Sequence, residues 1–192
     1  KIIHDDLNLI YNSNIEWDKF YNKTILISGA SGFLPAYLVE TLMHVNQLNK
    51  NANIKIIGLV RNITKAKERF IQYEYSEQLK FLVQDVCEKI IIDSKIDFII
   101  HAASQASPKY YGTDPVGTLS ANTLGTINLL KFAQKNSIES FLYFSSSEVY
   151  GILDEAKIPT KESDYGYIDP TNVRSCYAES KLSDKYAQYS DR

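Results

Sequence analysis

Short apolar runs alternate along this chain with stretches of helical period, and that alternation limits the fold more than any single residue does. Residues 23–28, 54–60, 79–83, 96–101 and 140–144 are rich in Ile, Leu, Val and Phe and too short for buried helices. They read as strands buried on both faces, as in a parallel sheet. Between them Leu34, Leu38, Leu42, Met43 and Val45 recur at helical spacing. Residues 62–72 read as a helix start, and residues 114–135 as a long helix with Pro115 in its first turn. Helix returns over residues 174–190, after a loop-rich stretch holding Pro159, Gly166 and Pro170. Strands alternating with helices build a doubly wound parallel sheet, a three-layer α/β/α fold. A ligand then belongs at the carboxyl ends of the strands, where the strand order switches.

The 192 residues suffice for one sizeable core and not for two large domains. Residues 1–22 are polar and aromatic, with Ile10, Trp17, Phe20 and Tyr21 spaced to pack. They read as a helical lead-in capping one edge of the core, which leaves residues 23–192 as the domain proper. The net charge of -2 offers no general attraction for nucleic acid. No apolar run approaches the roughly 20 residues that cross a bilayer, and the first residues lack the apolar stretch of a signal peptide. Cys87 and Cys176 show no metal or CxxC spacing and read as free thiols of a cytoplasmic protein. His4, His44 and His101 form no ligand pattern, so no metal is expected. Most of the 14 Tyr read as half-buried packing residues.

The first strand runs into Gly29-Ala-Ser31-Gly32-Phe33-Leu34-Pro35, which opens the first helix. Gly29 permits a tight turn, and Gly32 lets backbone approach a pyrophosphate. The free N–H groups of the helix start then face its charge. Pro35 stands where a third glycine is usual. The strand–turn–helix context marks a dinucleotide site rather than a bare connection. At the end of the second strand, Arg61-Asn62 replaces the acidic residue that would bind ribose hydroxyls. Arg61 is therefore either a partner for a 2′-phosphate or adenine, which opens the site to NADP beside NAD, or a solvated surface charge. Asp85-Val86 ends the third strand, where the carboxylate either accepts from adenine or caps a helix. His101 ends the fourth strand and reads as packing, while small Ala102, Ala103 and Ser104 leave room for a dinucleotide.

Tyr177 and Lys181 share one helix face. An ammonium beside a phenol favours phenolate, and a phenolate can take a proton from a sugar hydroxyl while its carbon gives up hydride. Tyr177-Ala-Glu-Ser-Lys181 follows Ser145-Ser-Ser-Glu-Val-Tyr-Gly151 and the glycine turn in that order. His101-Ala-Ala-Ser-Gln-Ala-Ser-Pro108, Asp114-Pro115, Asn122-Thr-Leu-Gly-Thr126 and Arg174-Ser-Cys-Tyr177 complete the set. On these motifs residues 23–190 resemble the extended short-chain dehydrogenase/reductase family of nucleotide-sugar epimerases and dehydratases, and within it the UDP-glucuronate decarboxylase (UDP-xylose synthase) group.

The resemblance implies a Rossmann fold, a bound NAD, a nucleotide-sugar substrate, a place in polysaccharide synthesis and a homodimer formed through a helix pair, for which residues 114–135 are the candidate. It implies that Tyr177 is the base at the sugar 4-hydroxyl, that Lys181 holds the phenolate and the nicotinamide ribose, and that Ser146 bonds the same hydroxyl. The ketone so formed makes the C5 carboxylate a β-keto acid that loses carbon dioxide, with Glu148 orienting substrate or water unless it is a structural carboxylate. Ser107, Ser120, Asn122, Ser147 and Arg174 are the implied substrate residues, Arg174 by a fork contact or else as a surface charge. Sugar 4,6-dehydratases resemble this segment but carry Asp where Ser147 stands, and decarboxylase-like proteins share the Ser-Glu pair. Two departures stand out: Ser120 occupies the place of a decarboxylase Lys, and Arg61 that of the usual Asp. The resemblance further implies a carboxyl-terminal substrate domain that the 192 residues are not expected to include, as in a fragment of a longer protein. A 4-epimerase or 4,6-dehydratase is the neighbouring reading, and a non-catalytic dinucleotide-binding sensor or scaffold the reading from another class.

Overall fold

The computed structural model describes residues 2–187, without the side chains of 185–187. The expected helix over 174–190 is observed as Ser175–Ala187, and its last three expected residues lie outside the described range. Five parallel strands form one sheet in the order β3-β2-β1-β4-β5: β1 Thr24–Ser28, β2 Lys55–Val60, β3 Leu79–Val83, β4 Phe98–His101 and β5 Ser140–Tyr143. The helices are α1 Ile2–Tyr11, α2 Phe33–Leu48, α3 Ile63–Arg69, α4 Pro108–Thr113, α5 Pro115–Asn136 and α6 Ser175–Ala187. This is the doubly wound sheet that the sequence pattern predicts.

Alternate residues of β1 enter opposite cores. Ile25 and Ile27 join Val39, Leu42, Ala66 and Phe70 from α2, α3 and the turn that follows α3. Leu26 joins Leu59, Ile99, Leu129 and Phe132 on the α5 side. A strand apolar on both faces can be satisfied only between two layers of helix, which is why these runs lack polar alternation. Gly125 of α5 meets the sheet side at close range, since a Cβ there would fall 2.8 Å from Val86 Cγ1.

The lead-in packs on the α2 side of the core. Helix α1 lies along α2, with Tyr37 Oη donating to Asp6 and His44 bonded to Asn8. Trp17 and Phe20 pack into the α2-side core, and Phe20 meets Phe98 with ring centroids 5.5 Å apart. A short helix, α4, occupies residues with no expected element, because Pro108 fixes the backbone of its first turn and Asp114 accepts from Gly117 to start α5.

The order places a switch between β1 and β4. Beyond their carboxyl ends the chain leads to helices on opposite faces, and the crevice at such a switch point is where an open α/β sheet binds its ligand.

Candidate functional site

Gly29 leaves β1 with φ of +68°, a conformation that L side chains rarely adopt. A Cβ on it would fall 2.9 Å from the Ala103 Cα, so the β1 turn lies directly against the turn after β4. Ser28 Oγ ties the two turns together, accepting from the N–H groups of Ala102 and Ala103 at 3.1 Å each. Gly32 caps α2 in extended backbone with no side-chain bond, and Phe33 and Leu34 project from the first turn, 72% and 58% exposed. First-turn N–H groups of a helix lack intrahelical partners and face an anion readily. Ser104 Oγ is buried without a hydrogen-bond partner among the described residues. The close backbone cradle, the open helix start and this orphaned hydroxyl fit a dinucleotide.

The adenosine end is more polar than the sequence alone indicates. Arg61 stands 3.8 Å from Asp85, and both remain partly exposed. The other Asp85 oxygen accepts from Cys87 N, within the turn after β3. Asn62 caps α3 through Lys65 N. The Val86 side chain is a core residue, and its carbonyl accepts from Asn128. Arg69 reaches the Ser31 carbonyl at 3.4 Å, a contact with the glycine turn that no sequence motif signals.

The chemical end forms where β5 meets α6. Tyr177, Ser180 and Lys181 occupy one buried stripe of α6, 6%, 2% and 2% exposed. Lys181 Nζ donates to the Phe144 carbonyl at 2.8 Å and sits 4.4 Å above the Tyr143 ring. Burial draws its ammonium down to about 8, against an upward pull from Asp184. Tyr177 stacks on Tyr111 of α4 with centroids 4.6 Å apart, and burial raises the Tyr111 phenol, with Tyr177 and Glu148 adding to it. Tyr111, like α4 itself, is a site neighbour without a sequence signature. Among the described residues no hydrogen bond joins Tyr177 to Lys181 or to Ser146. Ser146 Oγ accepts from Glu148 N and so shapes the turn Ser147–Tyr150, with Ser147 exposed.

Glu148 and Arg174 meet in a fork, with Nη1 to Oε2 and Nη2 to Oε1 both at 3.2 Å. Arg174 also lies 5.6 Å from the Tyr111 ring centroid. The Arg174 fork expected on the sequence thus engages a carboxylate of the chain itself. Asn122 is 0% exposed and donates to Ser180 Oγ at 2.8 Å, tying α5 to α6, while its Oδ1 has no hydrogen-bond partner among the described residues. Ser107 sits at the start of α4 and Ser120 on α5, both partly exposed. His101 is packed as expected, bonded to Ser28 Oγ at 2.7 Å and Thr126 Oγ1 at 3.1 Å. Among the described residues no cluster of His, Cys, Asp and Glu could hold a metal, and no helix is long and apolar enough to cross a membrane.

Sheet order, glycine turn and a Tyr-Lys pair on the helix after the fifth strand define a dinucleotide-binding protein of the short-chain dehydrogenase type. The chain belongs to the NAD dependent epimerase/dehydratase family, whose profile matches residues 25–190. It is 36% identical over 160 residues to UDP-glucuronic acid decarboxylase 3 of Arabidopsis thaliana, covering 83% of this chain and 44% of that one. UDP-glucuronic acid decarboxylase 1 of Danio rerio is 36% identical over 159 residues, 83% of this chain and 35% of that one. The UDP-glucuronic acid 4-epimerase of Bacillus cereus, solved in complex with NAD, matches with a TM-score of 0.64 at 22% identity, over 86% of this chain and 51% of that one. The last likeness is one of fold. The chain spans less than half the length of the two curated relatives.

Proposed function

We propose that this chain carries the dinucleotide site and the catalytic pair of a nucleotide-sugar enzyme that oxidises its substrate at C4 and decarboxylates a UDP-glucuronate-like sugar. The observation that carries the reading is the convergence of Ser146, Glu148, Arg174 and Tyr177 at the end of β5, with Lys181 buried behind them. Gly29, Ser31, Gly32, Phe33 and Leu34 would hold the pyrophosphate, Arg61, Asn62, Asp85 and Val86 the adenosine, and Ala102, Ala103 and Ser104 the nicotinamide half. NAD, where bound there, would supply a reversible hydride acceptor for C4. Tyr177 takes the 4-hydroxyl proton, Ser146 orients that hydroxyl, and Lys181 supplies positive charge behind the phenolate. A ketone at C4 makes the C5 carboxylate a β-keto acid, which needs no acid to expel its leaving group. Ser147, in place of a dehydratase Asp, suits that step and not the elimination of water.

The Glu148–Arg174 fork gives the substrate carboxylate a way in. An incoming carboxylate competes with Glu148 for the same guanidinium, and the released Glu148 is then available to orient water for protonation at C5. Ser120 favours a second reading, 4-epimerisation or 4,6-dehydration, because the decarboxylase Lys is missing there. Arg61 adds NADP to the acceptable cofactors if a 2′-phosphate displaces Asp85 from it. The outer face of α5, with Val116, Leu119, Leu124 and Ile127 exposed, is the surface we assign to a homodimer.

The test is incubation of the natural-length protein with UDP-glucuronate and either NAD or NADP, following carbon dioxide and the sugar product. Carbon dioxide with UDP-xylose, abolished in Tyr177→Phe, is the expected result. Cofactor binding with no carbon dioxide would overturn decarboxylation in favour of the second reading.

A further inference from the structure

Asp184 continues the buried stripe of α6 beyond the catalytic pair. It lies one turn past Lys181 and is 2% exposed. A carboxylate sealed from water is costly unless donors surround it. Tyr143 Oη donates to Asp184 Oδ2 at 2.5 Å.

Nearby, His101 Nε2 lies 3.1 Å from Thr126 Oγ1 and His101 Nδ1 2.7 Å from Ser28 Oγ, which accepts from Ala102 N and Ala103 N.

We propose that Asp184 is a positioning residue for Lys181, acting through Tyr143. The inference rests on the reading of Tyr177 and Lys181 as the catalytic pair. The Lys181 ammonium lies 4.4 Å from the Tyr143 ring centroid, and that ring's hydroxyl is bound to the carboxylate. Hydrogen bonding to an anion enriches the ring in electron density and strengthens its hold on a cation. Lys181 meets the Phe144 carbonyl just after β5 and the Tyr143 ring on β5, and its charge is coupled to His101 of β4 and Asp184 of α6. Glu148 is engaged by Arg174. Asp184 is thus the anion that sustains the Lys181 charge, and burial alone would drive the ammonium toward neutrality near the pH of the cell.

The test is an NMR titration of Lys181 in the natural-length protein, labelled with 13C-lysine and assigned through Lys181→Arg. It needs no substrate, so a protein that decarboxylates nothing can still pass it, and the two readings fail separately. Asp184→Asn is expected to lower the Lys181 midpoint by about one pH unit. Tyr143→Phe keeps the carboxylate but removes its link, and is expected to shift the midpoint the same way by less. It serves alone if Asp184→Asn does not fold. A midpoint equal to wild type in the folded variants would reduce Asp184 to a packing residue and overturn the proposal.

Discussion

A neutral imidazole sealed under the crevice makes this protein sensitive to acid. Burial draws His101 from the ordinary 6.5 down to about 3, and the Lys181 ammonium adds to the effect. Between those values the unfolded chain binds a proton that the folded chain refuses, so stability is lost as pH falls through that window. Asp184 works in the opposite sense between its ordinary 3.8 and about 6, because burial makes the folded chain bind that proton more readily. Comparing wild type with His101→Gln isolates the first contribution. On acidification from pH 6.5, wild type should lose stability relative to the variant by up to about 1.4 kcal/mol per pH unit, read from urea unfolding at several pH values. A constant difference would show that His101 exchanges a proton alike in both states. Helical spacing marked Tyr177 and Lys181 as candidates in the sequence, and the family resemblance added Ser146 and Glu148. The partners of those residues were not legible. Arg174 with Glu148, Tyr111 with Tyr177 and Asp184 with Tyr143 are joined only when separate segments fold together, and none of these pairs has a periodicity to read.

Elements were legible where burial on both sides enforces an apolar run, so β3 runs Leu79–Val83 as expected from residues 79–83. Helix α4 was not, because a single short turn around Gly112 has no period to display. The loop into β2 depends on a side chain that no strand pattern marks. Asn46 of α2 is 6% exposed, donates to the Ile54 carbonyl and accepts from Ile54 N, both at 2.8 Å. It stands in for a missing backbone neighbour on both groups. Asn46→Ala would leave two buried backbone groups unpaired, and should cost about 2–4 kcal/mol in denaturant unfolding. A loss within experimental error would mean that water or a shifted loop satisfies Ile54.

At the scale of the molecule, the sheet and its helices leave α5 with an apolar outer stripe. Val116 is 74% exposed, Leu124 50% and Ile127 40%, on a helix whose inner face is already filled. A second copy of the same helix is the partner we assign to it. Sedimentation of the natural-length protein should give twice the monomer mass, and Leu124→Glu combined with Ile127→Glu should give the monomer. A wild-type monomer would remove the dimer from the proposal.

The seam between β1 and β4 has a consequence in time as well as in space. Strand β1 pairs with β2, nearer in sequence, whereas its bond to the other side, Ser28 to His101, spans 73 residues. Contacts between distant parts of a chain carry the larger closure entropy and slow folding. The crevice lies across this seam, with Gly29 on one bank and Ala103 on the other. A molecule that has paired only β1 with β2 has half a crevice, so a dinucleotide can be gripped only by chains that have also closed β1 onto β4. Its grip then favours the closed seam, so a bound ligand acts as a latch on the pairing of β1 with β4.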